Sequence, residues 1–270
     1  MSSNSKKNIL ITGANGLLGY ALQQMLCATS YRVYAVTRDD SASRLAGVDY
    51  LEIDFSNPWS ESSLPDSIDV IIHLAQSSKF RDFPEHALDV FRVNVDATAR
   101  LLDYAHRSQV QNFIFASSGG IYGSGSHAFK ENSPITPVDH LGYYLSSKMC
   151  GEMLAQSYAK LFDVKIVRPF FMYGERQNRD MLIPRLVDTI KSNNKITLQG
   201  DGGIRINPIH VSDAALALTA LVEVKSSMTI NIGGPEVMSL REICDCIPKR
   251  RRHIPGSPLP DRPQPHPGWN

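Results

Sequence analysis

The chain predicts an α/β protein: one doubly wound parallel sheet followed by a smaller C-terminal lobe. Three observations predict it. Short apolar runs bounded by turn residues alternate with helical patterns from residue 9 to residue 167. Several of these runs are continuously apolar, as strands covered on both faces require. The first run ends in a glycine turn that opens into a helix: Ile9-Leu-Ile-Thr-Gly-Ala-Asn-Gly-Leu-Leu-Gly19.

Ile9 to Ile11 is the first strand. Gly13, Gly16 and Gly19 follow at G-x-x-G-x-x-G spacing, and Leu17, Leu18, Ala21, Leu22, Met25 and Leu26 repeat at helical period. A helix N-terminus presents free backbone N–H groups and the positive end of its dipole, which together form an anion site. Gly13 permits the tight turn, Gly16 lets a pyrophosphate approach the backbone, and Gly19 lets helix and strand pack closely. The stretch therefore predicts a dinucleotide site of Rossmann type, with Gly13, Asn15, Gly16, Leu17 and Gly19 as its cofactor-binding residues. Arg32 to Thr37 is the second strand, whose end belongs beside the adenosine ribose. An acidic residue there would accept both ribose hydroxyls. Thr37-Arg38 stands there instead. Arg38 can meet a 2′-phosphate, lie across the adenine, or be a solvated loop charge; the reading is NAD(P), leaning to NADP. Asp39 can bind a ribose if the turn is shifted by a residue or two.

Tyr50 to Phe55 is the third strand. Asp54 can accept from the adenine amino group or cap a helix suggested by Ser56-Asn-Pro58. Asp69 to Ala75 is the fourth strand, and its end should pass under the cofactor. His73 reads as a satisfied buried histidine rather than a catalyst. Residues 85–107 read as one long helix; Asn94 in its middle suits a hydrogen bond to a loop or cofactor, or faces solvent. Phe113 to Ser118 is the fifth strand, and it puts Ser117 and Ser118 where an open parallel sheet has its ligand crevice. Residues 124–142 read as a loop and candidate lid. Tyr143 to Leu161 is a helix with Tyr144 and Lys148 at i and i+4 on one face. Val164 to Val167 is the sixth strand, stopping at Arg168-Pro169.

Beyond Phe170 come a helix from Met181 to Lys191, a strand and turn over Ile196 to Gly203, and an extended Pro208 to Val211. A helix capped by Ser212 runs to Glu223, then a strand from Met228 to Ile232. A last helix spans Ser239 to Ile247, with a capping box from Ser239 to Glu242. The domain reading is 1–170 as the dinucleotide-binding part, with 203–213 and 228–234 returning to it. Residues 171–202 and 214–247 form the small substrate lobe. Residues 248–270 hold seven prolines and the basic run Lys249 to Arg252, a composition that cannot bury a core and reads as a disordered tail.

The 270 residues carry a net charge of +1, which supplies no field for nucleic acid or an acidic membrane. No apolar segment approaches the roughly 18 residues of a membrane span. The polar N-terminus has no signal-peptide core, so a soluble cytoplasmic protein is expected. Four scattered cysteines make no disulfide framework, and Cys244-x-Cys246 without a His pair makes no zinc site. No metal is expected.

Moving a hydride at a carbon that bears oxygen requires a proton to move at that oxygen. A free tyrosine, with a pKa of about 10, is ionised in only about one molecule in a thousand at pH 7, a handicap of roughly 4 kcal/mol. A lysine ammonium one helical turn away is expected to favour the phenolate. Tyr144 and Lys148 supply that pair, and Ser118 can hold the substrate oxygen in line with the phenol. Ser117 is the fallback if the strand end is rotated.

At this point the chain resembles the extended short-chain dehydrogenase/reductase family, in its NAD-dependent epimerase/dehydratase branch. The matching stretches are Thr12 to Gly19, Asp54-Phe55, His73-Leu-Ala75, Asn94-Val-Asp-Ala-Thr98, Ser117-Ser-Gly-Gly-Ile-Tyr-Gly123, Tyr144-Leu-Ser-Ser-Lys148, Arg168-Pro169, Pro208-Ile-His-Val-Ser-Asp213 and Asn231-Ile-Gly-Gly234. The resemblance implies Ser118 as the active-site hydroxyl, Tyr144 as acid/base and Lys148 on the cofactor. It implies further cofactor contacts from the Asp54-Phe55 and Leu74-Ala75 stretches, Asn94 and the backbone at Pro169. It implies a homodimer through a four-helix bundle of helices near 88–106 and 144–161. Thr37-Arg38 replaces the acidic residue of NAD-preferring members. Phe171 stands where a diphosphate-binding Asn is usual, and Arg205 lies five residues before His210 where the family's arginine lies four before. These two are the candidate substrate contacts beside Ser118. Gly119-Gly120 occupies the place of the acidic pair of dehydratases. The expected activity is hydride transfer at a secondary alcohol or ketone carbon of a sugar or nucleotide sugar, with epimerase or reductase favoured over dehydratase. The alternative is a catalytically idle redox sensor or scaffold, because the family's ordered lobe continues where this chain turns proline-rich. That tail reads as a truncation or a shifted reading frame.

Overall fold

The computed structural model describes residues 6–38, 44–125 and 127–248. Asp39 and the proline-rich stretch from Lys249 onward lie outside the described residues. Seven parallel strands form the main sheet: β1 (Asn8–Thr12), β2 (Arg32–Thr37), β3 (Val48–Glu52), β4 (Val70–His73), β5 (Asn112–Ala116), β6 (Asp163–Pro169) and, later in the chain, β10 (Met228–Ile232). Their order is β10-β6-β5-β4-β1-β2-β3. The chain winds outward from β1 in both directions, so β1 and β4 sit side by side with their carboxyl ends at the topological switch point. That is where open α/β sheets bind ligands. Thr12 pairs with His73 in this register.

The runs are apolar throughout because both faces are covered. One face packs Ile9, Ile11, Val33 and Ile72 against α1 (Leu17–Cys27) and α6 (Val211–Leu221). The other packs Leu10, Ile71, Phe113, Phe115 and Ile166 against α3 (Ala97–Arg107) and α4 (Val138–Ser157). Between β4 and α3 the expected long helix is broken into α2 (Ala87–Phe91), a π-helical turn over Arg92–Asp96, and α3. Asn94 sits in that turn, as π-bulges commonly do at functional sites. In α4, Gly142 at φ 68° separates an opening turn from the helix that begins at Tyr143. The helix ends at Ser157, four residues before the expected Leu161, as Leu161 N turns back to Tyr158 O.

Short strands β7 (Met172–Tyr173), β8 (Arg205–Ile206) and β9 (Ile209–His210) follow, with β7 parallel to β9. Three expectations change here. Ile196 to Gln199 forms no strand, and the chain turns through Gly200, Gly202 and Gly203 at positive φ before β8. The cap of α6 is His210, whose Nδ1 accepts from Ser212 N; the Ser212 hydroxyl bonds back to that ring. And α6, expected in the small lobe, packs Ala215, Leu218 and Leu221 on Leu18, Leu22 and Leu26 of α1, because its apolar face matches that side of the sheet.

The chain forms two compact units. The larger takes the residues up to Asn178 and Arg205–Met238; the smaller takes Arg179–Ile204 and the described residues from Ser239 on. In the smaller unit α5 (Leu182–Lys191) is joined by α7 (Leu240–Cys246), whose capping box closes between Ser239 and Glu242. Among the described residues, no helix is long and apolar enough to cross a membrane.

Candidate active site

The glycine turn has the form its spacing predicts. Gly13 adopts φ +67°, and a Cβ on it would lie 2.7 Å from Ala75 N. A Cβ on Gly19 would lie 2.4 Å from Gly13 O. Gly16 is the N-cap of α1 and provides no side-chain cap, so the first-turn N–H groups face outward at the end of β1. A side chain at Gly13 or Gly19 would collide with the backbone of the turn and of the Leu74-Ala75 stretch, so the close backbone crossing depends on glycine, and a helix N-terminus opened by such a turn fits a dinucleotide diphosphate. Leu74 N donates to Thr12 O at 3.2 Å, which ties the Leu74-Ala75 stretch to the turn.

Beneath the turn His73 is buried between two threonine hydroxyls. Its Nδ1 lies 2.6 Å from Thr12 Oγ1 and its Nε2 lies 2.9 Å from Thr98 Oγ1. Thr98 gives its proton to Asn94 O, so its oxygen accepts from His73 Nε2–H. Thr12 then donates to Nδ1 while its oxygen accepts from Ala75 N. Burial, with the nearby Lys148 charge, drives the imidazole down to about 3. His73 is therefore neutral and structural.

Tyr144 and Lys148 lie on α4, across β4 and β5. The phenol donates to Gln76 Oε1 at 3.1 Å and is hydrogen-bonded to the Ser118 hydroxyl. Phe80 tilts against its ring at 4.9 Å between centroids. Ser118 caps the turn after β5, its Oγ accepting from Gly120 N at 3.1 Å. Ser117 Oγ is buried with no partner among the described residues; Ser118 is the serine that meets the phenol. Lys148 is 2% exposed, donates to Ala116 O at 2.9 Å, and lies against the Phe115 ring. Burial pulls its ammonium down to about 8. Burial also pushes the Tyr144 phenol up to about 12, with the Ser118 bond working in the opposite direction. The expected lowering of the Tyr144 phenol by Lys148 does not appear; desolvation is the largest influence on each group, raising the phenol and lowering the ammonium.

Asn94 is 1% exposed, and its amide is engaged within the protein. It accepts from Ser77 N at 2.9 Å and donates to Ser147 Oγ at 2.9 Å. Of its open roles, the hydrogen bond to a loop is the one the structure has. Arg38 donates to Ser78 Oγ at 3.3 Å. Asp54 forms a turn instead of a helix cap, accepting from Ser56 N, Ser56 Oγ and Asn57 Nδ2. Its carboxyl is lowered by these bonds and by Arg38, against the opposing effect of burial. Phe55 is buried beside Trp59. Pro169 closes β6 opposite Ile232. Phe171 is exposed and its carbonyl receives Ile209 N, while Arg205 donates to Val237 O at 3.1 Å. The sequence reading missed Gln76, Ser77 and Ser147. The visible signal for Gln76 is a polar side chain placed directly after an apolar strand that ends at the switch point.

A parallel sheet with a glycine cradle at its switch point and a serine, a tyrosine and a lysine at the adjoining strand ends defines a dinucleotide-fold protein of the short-chain dehydrogenase type. The chain belongs to the NAD dependent epimerase/dehydratase family, whose pattern it matches over residues 9–233. It is 31% identical over 191 residues to an uncharacterized UDP-glucose epimerase of Bacillus subtilis, covering 69% of this chain and 60% of that one. It is 31% identical over 179 residues to a dTDP-glucose 4,6-dehydratase of Streptomyces griseus, covering 65% of this chain and 54% of that one. The alignments thus span less than two thirds of the length of both relatives. Among solved structures it is similar to the UDP-glucuronic acid 4-epimerase of Bacillus cereus in complex with UDP-glucuronic acid and NAD. The TM-score is 0.76 at 28% identity, covering 87% of this chain and 80% of that one.

Proposed function

We propose that the chain is an NAD(P)-dependent epimerase or reductase acting on a secondary alcohol or ketone carbon of a nucleotide sugar. The single observation that carries this reading is the convergence of Tyr144, Ser118 and Lys148 at the strand ends beside the glycine cradle. Gly13, Asn15, Gly16, Leu17 and Gly19 would hold the cofactor diphosphate, with Leu74, Ala75 and the Pro169 backbone beneath it. NAD(P), when bound, supplies the two-electron acceptor and donor. Tyr144 exchanges the proton of the substrate oxygen, and Ser118 fixes that oxygen beside the phenol. Lys148 uses one of its three N–H donors on Ala116 O and has capacity for a ribose hydroxyl. Arg38 with Ser78 favours a 2′-phosphate and so the NADP lean, while Asp54 and Phe55 line the adenosine side. Phe171 and Arg205 are the proposed substrate contacts.

Two glycines favour epimerase or reductase over dehydratase. A Cβ on Gly119 would lie 2.8 Å from the Phe170 ring, and one on Gly120 would lie 3.1 Å from Leu145. An acidic pair at these positions would have to displace both neighbours. The exposed Leu88, Phe91 and Met153 on α2 and α4 support a homodimer through those helices.

The second reading, an idle sensor or scaffold, draws on one observation: phenol and ammonium are both biased to their neutral forms. Incubation with NAD(P) and UDP-glucose, UDP-glucuronic acid or their 4-keto forms, with products separated by chromatography, distinguishes the two. Turnover that falls at least about 100-fold in Tyr144→Phe, with cofactor binding retained, supports the enzyme. Cofactor binding with no hydride transfer in the unmodified chain supports the sensor.

A further inference from the structure

The Tyr144 phenol has a polar neighbour besides its serine. Gln76 follows β4 directly, and its amide oxygen receives the phenolic proton at 3.1 Å. An amide oxygen can only accept, so a phenol bonded to it carries its proton. The pair is held together by a second set of bonds. Ser77 N donates to Asn94 Oδ1, Asn94 Nδ2 donates to Ser147 Oγ, and Ser147 Oγ donates to Tyr144 O at 2.7 Å. This chain ties the residue after Gln76 to the turn of α4 that carries Tyr144. Asn94 makes both bonds from within the π-helical turn over Arg92–Asp96. The groups facing the phenol are the Ser118 hydroxyl from the turn after β5 and the uncharged Gln76 and Phe80 from the segment after β4, while Lys148, on the phenol's own helix, turns its ammonium to Ala116 O.

We propose that Gln76 is a positioning residue for proton transfer: its amide oxygen aims the Tyr144 phenol and holds it as a proton donor. The resting site is then set to receive the ketone form of its substrate and give it a proton. Drawing a proton from an alcohol requires the phenol first to release its own proton to solvent, which also ends its hydrogen bond to Gln76. This rests on Tyr144 being the acid/base group of the activity proposed above.

The test titrates Tyr144 itself in the NAD-loaded protein, by ultraviolet difference absorbance of the phenolate with the Tyr144→Phe protein as blank. Gln76→Leu removes an acceptor that favours the neutral phenol, so the midpoint falls by about one pH unit, a tenfold rise in phenolate at fixed pH. Gln76→Glu places a carboxylate there, and the midpoint rises by a similar amount. Unchanged midpoints in both variants, or shifts of the same sign, overturn the proposal. No substrate enters the measurement, so absent turnover of nucleotide sugars leaves this result standing and the reverse also holds.

Discussion

Around His73 each polar side-chain atom has its partner inside the protein, while a few ångströms further along the same strand ends Tyr144 meets groups at the edge of solvent. Thr12, His73 and Thr98 form a closed relay in which every proton has one assignable direction. Arg168 makes a second closed set, bonding both Glu152 oxygens at 3.0 and 2.7 Å, Tyr122 Oη at 2.6 Å and Glu131 O at 3.1 Å. The Tyr144 set differs. Lys148 directs a single named hydrogen bond inward, and the phenol ends on an exposed glutamine. Closed networks fix the sheet and the α4 helix in place. The open one keeps bonding capacity that the protein itself does not use. Buried polar groups are stabilising only when complete, so the two kinds of cluster should respond to mutation with opposite signs.

The strongest way to break the comparison is Arg168→Met. It leaves the Glu152 carboxylate buried and unpaired, and should lower the unfolding free energy by about 3–5 kcal/mol in urea titration. Replacing both residues by apolar ones should cost less than the single change. Lys148→Met should act the other way. The folded-state value of about 8 lies below the unfolded 10.5, so the unfolded chain holds more protons between those values and wild-type stability rises across that window. The variant should be about 2–3 kcal/mol more stable than wild type at pH 7, lose that rise, and turn over poorly. A destabilised Lys148→Met would place it with the closed networks. The smallest effect sharpens the picture of His73. Its folded value of about 3 lies below the unfolded 6.5, so stability is lost as pH falls through that interval. From pH 7.5 to 5 the loss is about 2 kcal/mol. Urea midpoints of His73→Asn should show a correspondingly flatter pH dependence.

Much of this was legible in the residues. Gly13 and Gly19 were readable because a positive φ and a close backbone crossing each demand a residue without Cβ. Ser118 was readable from its place at a strand end, and Tyr144 with Lys148 from helical period. Three features were hidden. The Asn94 bonds join residues 17 and 53 positions apart, and no local pattern announces such partners. α6 was placed with the wrong part of the chain because an apolar helix face does not state which surface it covers. His210 displaced Ser212 as cap because the helix begins at Val211, which places Ser212 inside its first turn and makes Ser212 N the group the cap accepts from.

What the sequence by itself determined is whatever depends on backbone freedom and on periods of two or 3.6 residues: the strands, the glycine cradle, the family, and the three side chains aligned at the strand ends. Only the tertiary structure decided the directions in which Tyr144 and Lys148 are shifted, the sealing of His73, and the meeting of Gln76 with the phenol. Those follow from burial and from bonds between segments distant in the chain, and desolvation is a property of the packed molecule, absent from any stretch of it alone.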